Sequence, residues 1–450
     1  MTENKLATQF TGKSIFAYAL PTMVMMVFMS LYMMIDGMFV AKYVDEFAFS
    51  ALNIVYPVIS IVLALGLMLS IGASAVIGTL MGEGKEGKAR EFFTQIYLVG
   101  ILLGSVCLLL TQVFVDEILL LLQASALLYP YAKEYLIFTG YFFIFSTLQV
   151  FAQTFFITAG KPLLGTVVCV LGGCTNIFLD WLFIAKLGWG IAGAGIATGI
   201  GFGVPGLFSL VYFGLNRKSS LYFVPFHWDM PNFILTCSNG MSECVTNLSV
   251  AMTTFLFNVI LQRLVGEAGV SSITAILYIQ MFQMGVYTGF SLGVSPILSY
   301  KFGAKDWSQL KKVVQSSFVI LGICSFLVVS LSFLFAEEAI AIFIPKESDT
   351  FPLAKRGLLL YTLAYIFMGF NVFFSSFFTA LSNGKVSALL SLTRNFCFIV
   401  LGLLVLPEIF HTDGVWIAVP IAEFLSFLMG GYFFRKYQKK YRYYSNWKKD

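Results

Sequence analysis

Long apolar runs, broken by short polar or glycine-bearing segments, recur along the whole chain. They predict twelve membrane-spanning helices: near residues 15–40, 51–80, 94–115, 134–158, 163–185 and 190–215, then near 232–262, 271–300, 314–336, 357–381, 386–406 and 414–434. A helix needs roughly 20 apolar residues to cross about 30 Å of hydrocarbon, and each run approaches or exceeds that length. The runs are continuous rather than alternating, which excludes the lipid-facing strands of a membrane barrel.

The pattern also repeats. Ser50–Tyr56 matches Ser272–Tyr278 at an offset of 222, and Ser70-Ile-Gly-Ala-Ser74 matches Ser291-Leu-Gly-Val-Ser295 at 221. Gly160-Lys161 matches Gly384-Lys385, and Gly190 matches Gly414, both at 224. The expected architecture is therefore an all-α membrane protein of two six-helix bundles, residues 1–225 and 226–450. An even number of spans per half puts both halves the same way up, related by a pseudo-two-fold axis along the membrane normal, with a cavity between them. The plainer alternative is a duplication that only built a larger bundle.

Composition agrees: of 450 residues, 58% are hydrophobic and 11% charged, with 48 Phe, so lipid must serve as solvent for much of the exterior. Charge sets the orientation. With both termini cytoplasmic, the inner loops and tails hold 20 of the 28 Lys and Arg. Positive residues concentrate on the cytoplasmic side, so a multi-pass protein of the cytoplasmic (inner) membrane is expected. The tail from Arg435 to Lys449 carries seven of these basic residues and reads as a cytoplasmic anchor, not a nucleic-acid arm. The polar start MTENKLATQFTGKS precedes a span of full length, so no removable signal peptide is expected. The seven cysteines form no CxxC pair and read as small buried hydrophobes. His227 and His411 fall in loops and receive no role.

An ionised side chain at mid-membrane costs at least about 2.5–3.5 kcal/mol, so each needs a partner, a watery cavity or a task. Five stand out: Asp36, Asp180, Glu243, Arg394 and Glu423. Asn176 precedes Asp180 by four residues and shares its helical face. With Asp36 and Thr198 these form an expected cluster of hard oxygen ligands in the outer half of the first bundle, suited to H⁺ or Na⁺ and not to a transition metal. A structural hydrogen-bonded pair is the alternative. The repeat puts Asn258 and Leu404 where the first half has Asp36 and Asp180, which marks the acids as additions for function.

In the second half Glu243, Asn247 and Asn258 share a face, and Gln280, Gln283 and Tyr287 form a further polar stripe. Either could line a substrate path or tie helices together. Arg394 could pair with Glu243 or with Glu423, and Glu423 could be a second protonation site. The glycine-dense run Gly190–Pro205 lacks the Lys-Ser/Thr ending of a phosphate loop and reads as a close-packing or a bendable helix.

Tyr18-Ala-Leu-Pro21 followed by Asp36 and the Ser50–Pro57 segment, with Asn176, Asp180 and Thr198, resembles the multidrug and toxic compound extrusion (MATE) family. Pro296–Lys305 and Asp413–Pro420 are most similar to its bacterial MepA-like branch. The resemblance covers essentially the whole chain. It implies a secondary-active exporter that expels amphipathic, cationic drug-like compounds while H⁺ or Na⁺ enters, with Asp36 and Asp180 as coupling acids, no other cofactor, and a monomer. The rivals are a flippase for lipid-linked oligosaccharides, which would want a basic cavity, and a membrane-embedded enzyme or receptor, for which no nucleophile motif or soluble domain appears.

Overall fold

The computed structural model describes residues 5–44 and 46–443, so the last basic residues of the expected cytoplasmic tail, Lys448 and Lys449, lie outside the described residues. Among the described residues there are helices and no strands. The spans are α1 (Gly12–Tyr43), α2 (Glu46–Gly82), α3 (Glu86–Val113), α4 (Tyr129–Gly140 and Phe143–Thr158), α5 (Pro162–Lys186) and α6 (Gly190–Leu215). The second set is α7 (Met230–Val265), α8 (Glu267–Gly303), α9 (Trp307–Leu334) and α10 (Thr350–Ala380), then Gly384–Tyr441, which divides into α11 and α12.

Two spans depart from straight rods. α4, expected to run unbroken over 134–158, bends by 57° between its two pieces. Residues Gly384–Tyr441 are helical by hydrogen bonding, yet His411 (φ 50°, ψ −130°) is not, and there the chain doubles back. A Cβ on Gly414 would lie 2.3 Å from Leu406 O, and one on Gly402 would lie 3.2 Å from Ala418 Cβ, the contacts of an antiparallel helical hairpin. Ten helices are long and apolar enough to cross a membrane; the bent pair makes eleven, and the break at His411 makes twelve. The buried share of a span falls as low as 22%. Such apolar yet uncovered surface is what a lipid-facing exterior requires.

The chain forms two compact units: Val24–Gly240 with the turn Lys5–Ala7, and Met241 onward with Gln9–Met23. The first half of α1 thus belongs to the second unit, and the first part of α7 to the first. Missing side chains make both arrangements possible. In the first unit, a Cβ on Gly72 of α2 would sit 2.1 Å from Thr236 O, and one on Gly240 of α7 would sit 1.9 Å from Met68 O. In the second unit, Gly293 and Gly289 of α8 give the same close approach to Ala19 and Met23 of α1, at 2.9 and 2.5 Å. Gly72 and Gly293 are the centres of the repeated SIGAS and SLGVS segments. The repeat therefore encodes one helix seat twice.

Each unit is built around a hub. The second piece of α4 has 14 of its 16 residues buried and packs on α2, α3, α5 and α6; α10 packs likewise on α8, α9, α11 and α12. Thr154 of α4 donates to Ser70 of α2 at 3.2 Å, and Ser376 of α10 donates to the carbonyl of Ser291 of α8 at 3.3 Å. Just beyond α3, Lys133 pairs with Asp116 at 2.5 Å; beyond α9, Lys355 pairs with Glu337 at the equivalent place.

Left-handed turn residues recur as well: Gly84 with Lys305, Gly160 with Ser382, and Gly188 with His411, at offsets of 221, 222 and 223. This corrects one match read from sequence. Gly160 corresponds to Ser382, the residue with the same positive φ, and not to Gly384 two positions on.

The link between α6 and α7 is strapped to α3. Asp229 N donates to Gln95 Oε1 at 2.8 Å, Val224 N to Thr94 Oγ1 at 3.0 Å, and Arg90 Nε to Ser220 O at 3.0 Å. No cysteine is in a disulfide, but the expectation that all are buried fails: Cys169 is buried, Cys174 is exposed, and the other five are half-buried. In lipid, a small apolar side chain needs no protein cover.

Candidate functional site

The four oxygen-bearing residues expected in the first bundle meet inside the first unit. Asp36 comes from α1, Asn176 and Asp180 from α5, and Thr198 from α6. Thr198 Oγ1 donates to Asp36 Oδ1 at 3.5 Å, and Asn176 Nδ2 donates to Thr198 Oγ1 at 3.5 Å. The Asp36 carboxyl also lies within hydrogen-bonding reach of Asp180 and Asn176. Asp180 is fully buried and Asn176 nearly so.

Small residues bring these groups together. A Cβ on Gly201 of α6 would stand 2.7 Å from Asn176 Cβ, and one on Gly199 would stand 2.1 Å from the Phe142 ring. The glycine-dense run therefore lets α6 close onto α5 and onto the α4 bend, the packing role read from the sequence. Asp180 ends the regular part of α5, and the next residues, Trp181–Lys186, form a π-helical turn. Such turns interrupt the regular ladder and occur often at functional sites.

The surroundings are apolar. Val40, Val55, Tyr135, Phe143, Ile184 and Ala194 belong to one buried cluster around this end of the unit. A small cavity of about 10 Å³, roughly room for one water, lies beside the polar group, walled by Tyr32, Gln149, Asn176, Thr198 and Pro205, among others. Apart from the neighbouring Asp36 carboxyl, the buried carboxylate oxygens of Asp180 and Oδ1 of Asn176 meet no hydrogen-bond donor. No Lys or Arg among the described residues neutralises either acid. Three unmatched acceptors in a low-dielectric interior are expensive unless a cation fills the gap.

The second unit is arranged differently. Arg394 pairs with Glu423, not with Glu243: Arg394 Nε donates to Glu423 Oε1 at 2.8 Å. Asn371 of α10, which the sequence pattern did not single out, donates through Nδ2 to Glu423 Oε2 at 2.6 Å and to its carbonyl at 2.8 Å. A lone amide in the apolar run Phe370–Phe378 was the only available signal.

The Gln280–Tyr287 stripe is largely occupied by helix-to-helix bonds. Tyr361 OH donates to Gln280 Oε1 at 2.6 Å, Gln283 Nε2 donates to Ser332 Oγ at 2.7 Å, and buried Tyr287 donates to the Tyr365 carbonyl at 3.1 Å. On α7 the Asn247 amide is turned back to the Glu243 carbonyl at 2.8 Å, and Asn258 is half-buried on the same face. The half-buried Glu243 carboxylate has no ion-pair or hydrogen-bond partner among the described residues. The described residues hold no group of three His, Cys, Asp or Glu that could bind a metal.

The chain is 23% identical over 430 residues to the multidrug export protein MepA of Staphylococcus haemolyticus (strain JCSC1435), covering 91% of this chain and 90% of that protein. It is equally similar over 420 residues to MepA of Staphylococcus aureus (strain MSSA476), covering 92% and 91%. A crystal structure of MATE in complex with MaL6 superposes with a TM-score of 0.92 at 20% identity, over 98% of this chain and 100% of that one. The outward-facing conformation of a multidrug resistance MATE family transporter of the MOP superfamily gives 0.91 at 20% identity, over 98% and 99%. The model of the MatE family matches twice, over residues 21–182 and 243–404, with starts 222 positions apart. Two matches that together span most of the chain, at the spacing of its own internal repeat, make this protein a member of the MatE family of transporters.

Proposed function

We propose that this protein is a secondary-active exporter that expels amphipathic, cationic drug-like compounds in exchange for H⁺ or Na⁺. The observation that carries the reading is the joined group of Asp36, Asn176, Asp180 and Thr198, with two carboxylates and no positive partner in an apolar interior. A cation shared by the two acids satisfies the oxygens that the protein leaves unmatched, and four oxygen ligands suit a proton or a sodium ion. In the outward-open state the acids take up the cation, which disfavours the bound drug; in the inward-open state they release it and the next drug binds. Exchange requires that drug and cation differ in affinity between the two states.

Substrate contact falls to the half-buried face of Glu243, Asn247 and Asn258. The unpartnered Glu243 carboxylate supplies the attraction for a positive charge, while the hydrogen-bonded Gln280, Gln283 and Tyr287 hold helices. The names of the relatives, multidrug export proteins, support the same substrate class. The distribution of Lys and Arg supports a multi-pass protein of the cytoplasmic membrane with both termini inside. The flippase alternative loses ground because Arg394, the mid-span basic residue it would rely on, is engaged by Glu423.

The test is dye efflux from reconstituted vesicles under separately imposed pH and Na⁺ gradients, with Asp36→Asn alongside the parent. One gradient drives efflux in the parent and neither does in the variant, although the variant reaches the membrane in normal amount. Gradient-driven efflux by Asp36→Asn at the parental rate would sink the coupling assignment.

A further inference from the structure

Glu423 and Asp180 are buried acids, with Asp36 half-buried beside Asp180, yet the two sites are neutralised by different means. Glu423 is 2% exposed, and both of its carboxylate oxygens accept strong hydrogen bonds, one from Arg394 and one from Asn371. Arg394 is itself 8% exposed and lies on the π-helical turn Thr393–Cys397, with the Met284 thioether 3.9 Å from its NH2 group. The other titratable groups around the pair are Tyr361 of α10 and Tyr287 of α8, both buried phenols. No second acid or base among the described residues is paired with it.

Without the guanidinium, a buried carboxylate and a buried amide would remain. The amide oxygen, Asn371 Oδ1, already has no donor and the residue is 4% exposed. A carboxylate next to an unpartnered amide oxygen is the same chemistry that Asp180 and Asn176 present in the first unit. We propose that Arg394 is a resident counter-cation that fills a latent H⁺ or Na⁺ site at Glu423 and Asn371, and so confines cation coupling to Asp36 and Asp180. This rests on the exchange reading above and adds which residue limits the number of coupled cations. A tethered guanidinium cannot dissociate, so the Glu423 site carries no cation across the membrane, whereas the site at Asp36 and Asp180 must exchange its own.

The test uses the full chain in detergent and in vesicles, with three variants: Arg394→Met, Arg394→Lys and the double variant Arg394→Met/Glu423→Gln. Arg394→Met leaves Glu423 uncompensated, so its melting temperature should fall at neutral pH without Na⁺. It should recover as pH is lowered or Na⁺ is added, to a greater extent than the parent responds. Arg394→Lys and the double variant should show only the parental response. Where Arg394→Met survives reconstitution, its ratio of cations to drug, read from the reversal potential, should rise by one.

An Arg394→Met protein that is no more responsive to H⁺ or Na⁺ than the double variant overturns the proposal. So does one that assembles normally and keeps an unchanged ratio. A parent that ignores both gradients defeats the exchange reading instead, and does so without reference to these variants.

Discussion

Gly240→Ala tests the helix seat at its tightest point. The added Cβ would sit 1.9 Å from Met68 O, 2.6 Å from Met68 C and 2.8 Å from Met68 Cα, all backbone atoms of α2. Ordinary Cβ contacts lie at 3.4–4 Å, so α7 must retreat from α2 by about 1.5 Å, the difference between 1.9 and 3.4. No flexible side chain can absorb that shift. A gap of 0.5–1 Å already forfeits a quarter to a half of each dispersion contact, and forced overpacking costs typically about 1–3 kcal/mol. Alanine recovers about 0.8–1.0 kcal/mol of helix propensity over glycine, which leaves a net loss of about 1 kcal/mol from overpacking, to which the lost dispersion contacts add. Gly431 is the control: it lies in α12 with nothing within 4 Å of where an added Cβ would stand, so Gly431→Ala should gain about 1 kcal/mol. Melting curves in detergent, followed by the monodisperse fraction on size exclusion, should move in opposite directions for the two variants. Gly72→Ala should resemble Gly240→Ala, and the double variant should lose less than the sum, because one retreat of the helix relieves both clashes. If Gly240→Ala melts at or above the parent while Gly431→Ala behaves as stated, the seat is not a backbone-to-backbone contact.

Two further outcomes follow from the turns and the clamps. His411 holds φ 50° and ψ −130° where the first repeat has a positive-φ glycine at Gly188, so His411→Gly should relieve about 1–3 kcal/mol of strain against about 0.5–1 kcal/mol of added chain entropy; a lowered melting temperature would refute this. Hydrogen bonds from Lys133 and Tyr129 hold the Asp116 carboxyl below its ordinary 3.8, and the hydrogen bond and charge of Lys355 hold Glu337 below 4.5. A depressed folded-state value stabilises above the unfolded value and is lost as pH falls through the folded one, so these exposed clamps should loosen only in the window below about 4.5. Melting temperature against pH should show a small acid-side decline that Asp116→Asn/Glu337→Gln removes, and an undiminished decline in that variant would assign the effect to other groups.

Spans were legible because a continuous apolar run of this length is what a membrane crossing demands and a water-soluble helix seldom sustains. The first-unit oxygen cluster was legible for a related reason: Asp36 and Asp180 are costly in such runs, and Asn176 and Thr198 fall at helical spacing and similar depth. Hydropathy could not tell protein cover from lipid cover, since both are apolar, and so Cys174 was expected inside and is exposed. Nor could it see backbone geometry. The match of Gly160 to Gly384 followed residue identity, whereas the fold keeps the positive-φ position and fills it with Ser382 in the second half. The partner of Arg394 depended on which helices meet, and nothing local to residues 394, 243 or 423 encodes that. Asn371 escaped because a single amide in a span is compatible with many roles.

The carboxylates inside the membrane receive three treatments, and each constrains what its group can do. Glu423 is satisfied by Arg394 and Asn371, so a passing ligand would have to break a buried ion pair to engage it. Glu243 is half-buried and unpartnered, which leaves it open to a positively charged ligand that supplies its own counter-charge. Asp36 and Asp180 are drawn together in an apolar pocket without a positive residue, and the proposed exchange places a small cation between the acids. Under that proposal, a group that holds such a cation where the protein could have placed an Arg, as it did at Glu423, serves exchange. Duplication supplied two like scaffolds, and in the proposed exchange the difference in counter-charge separates their duties.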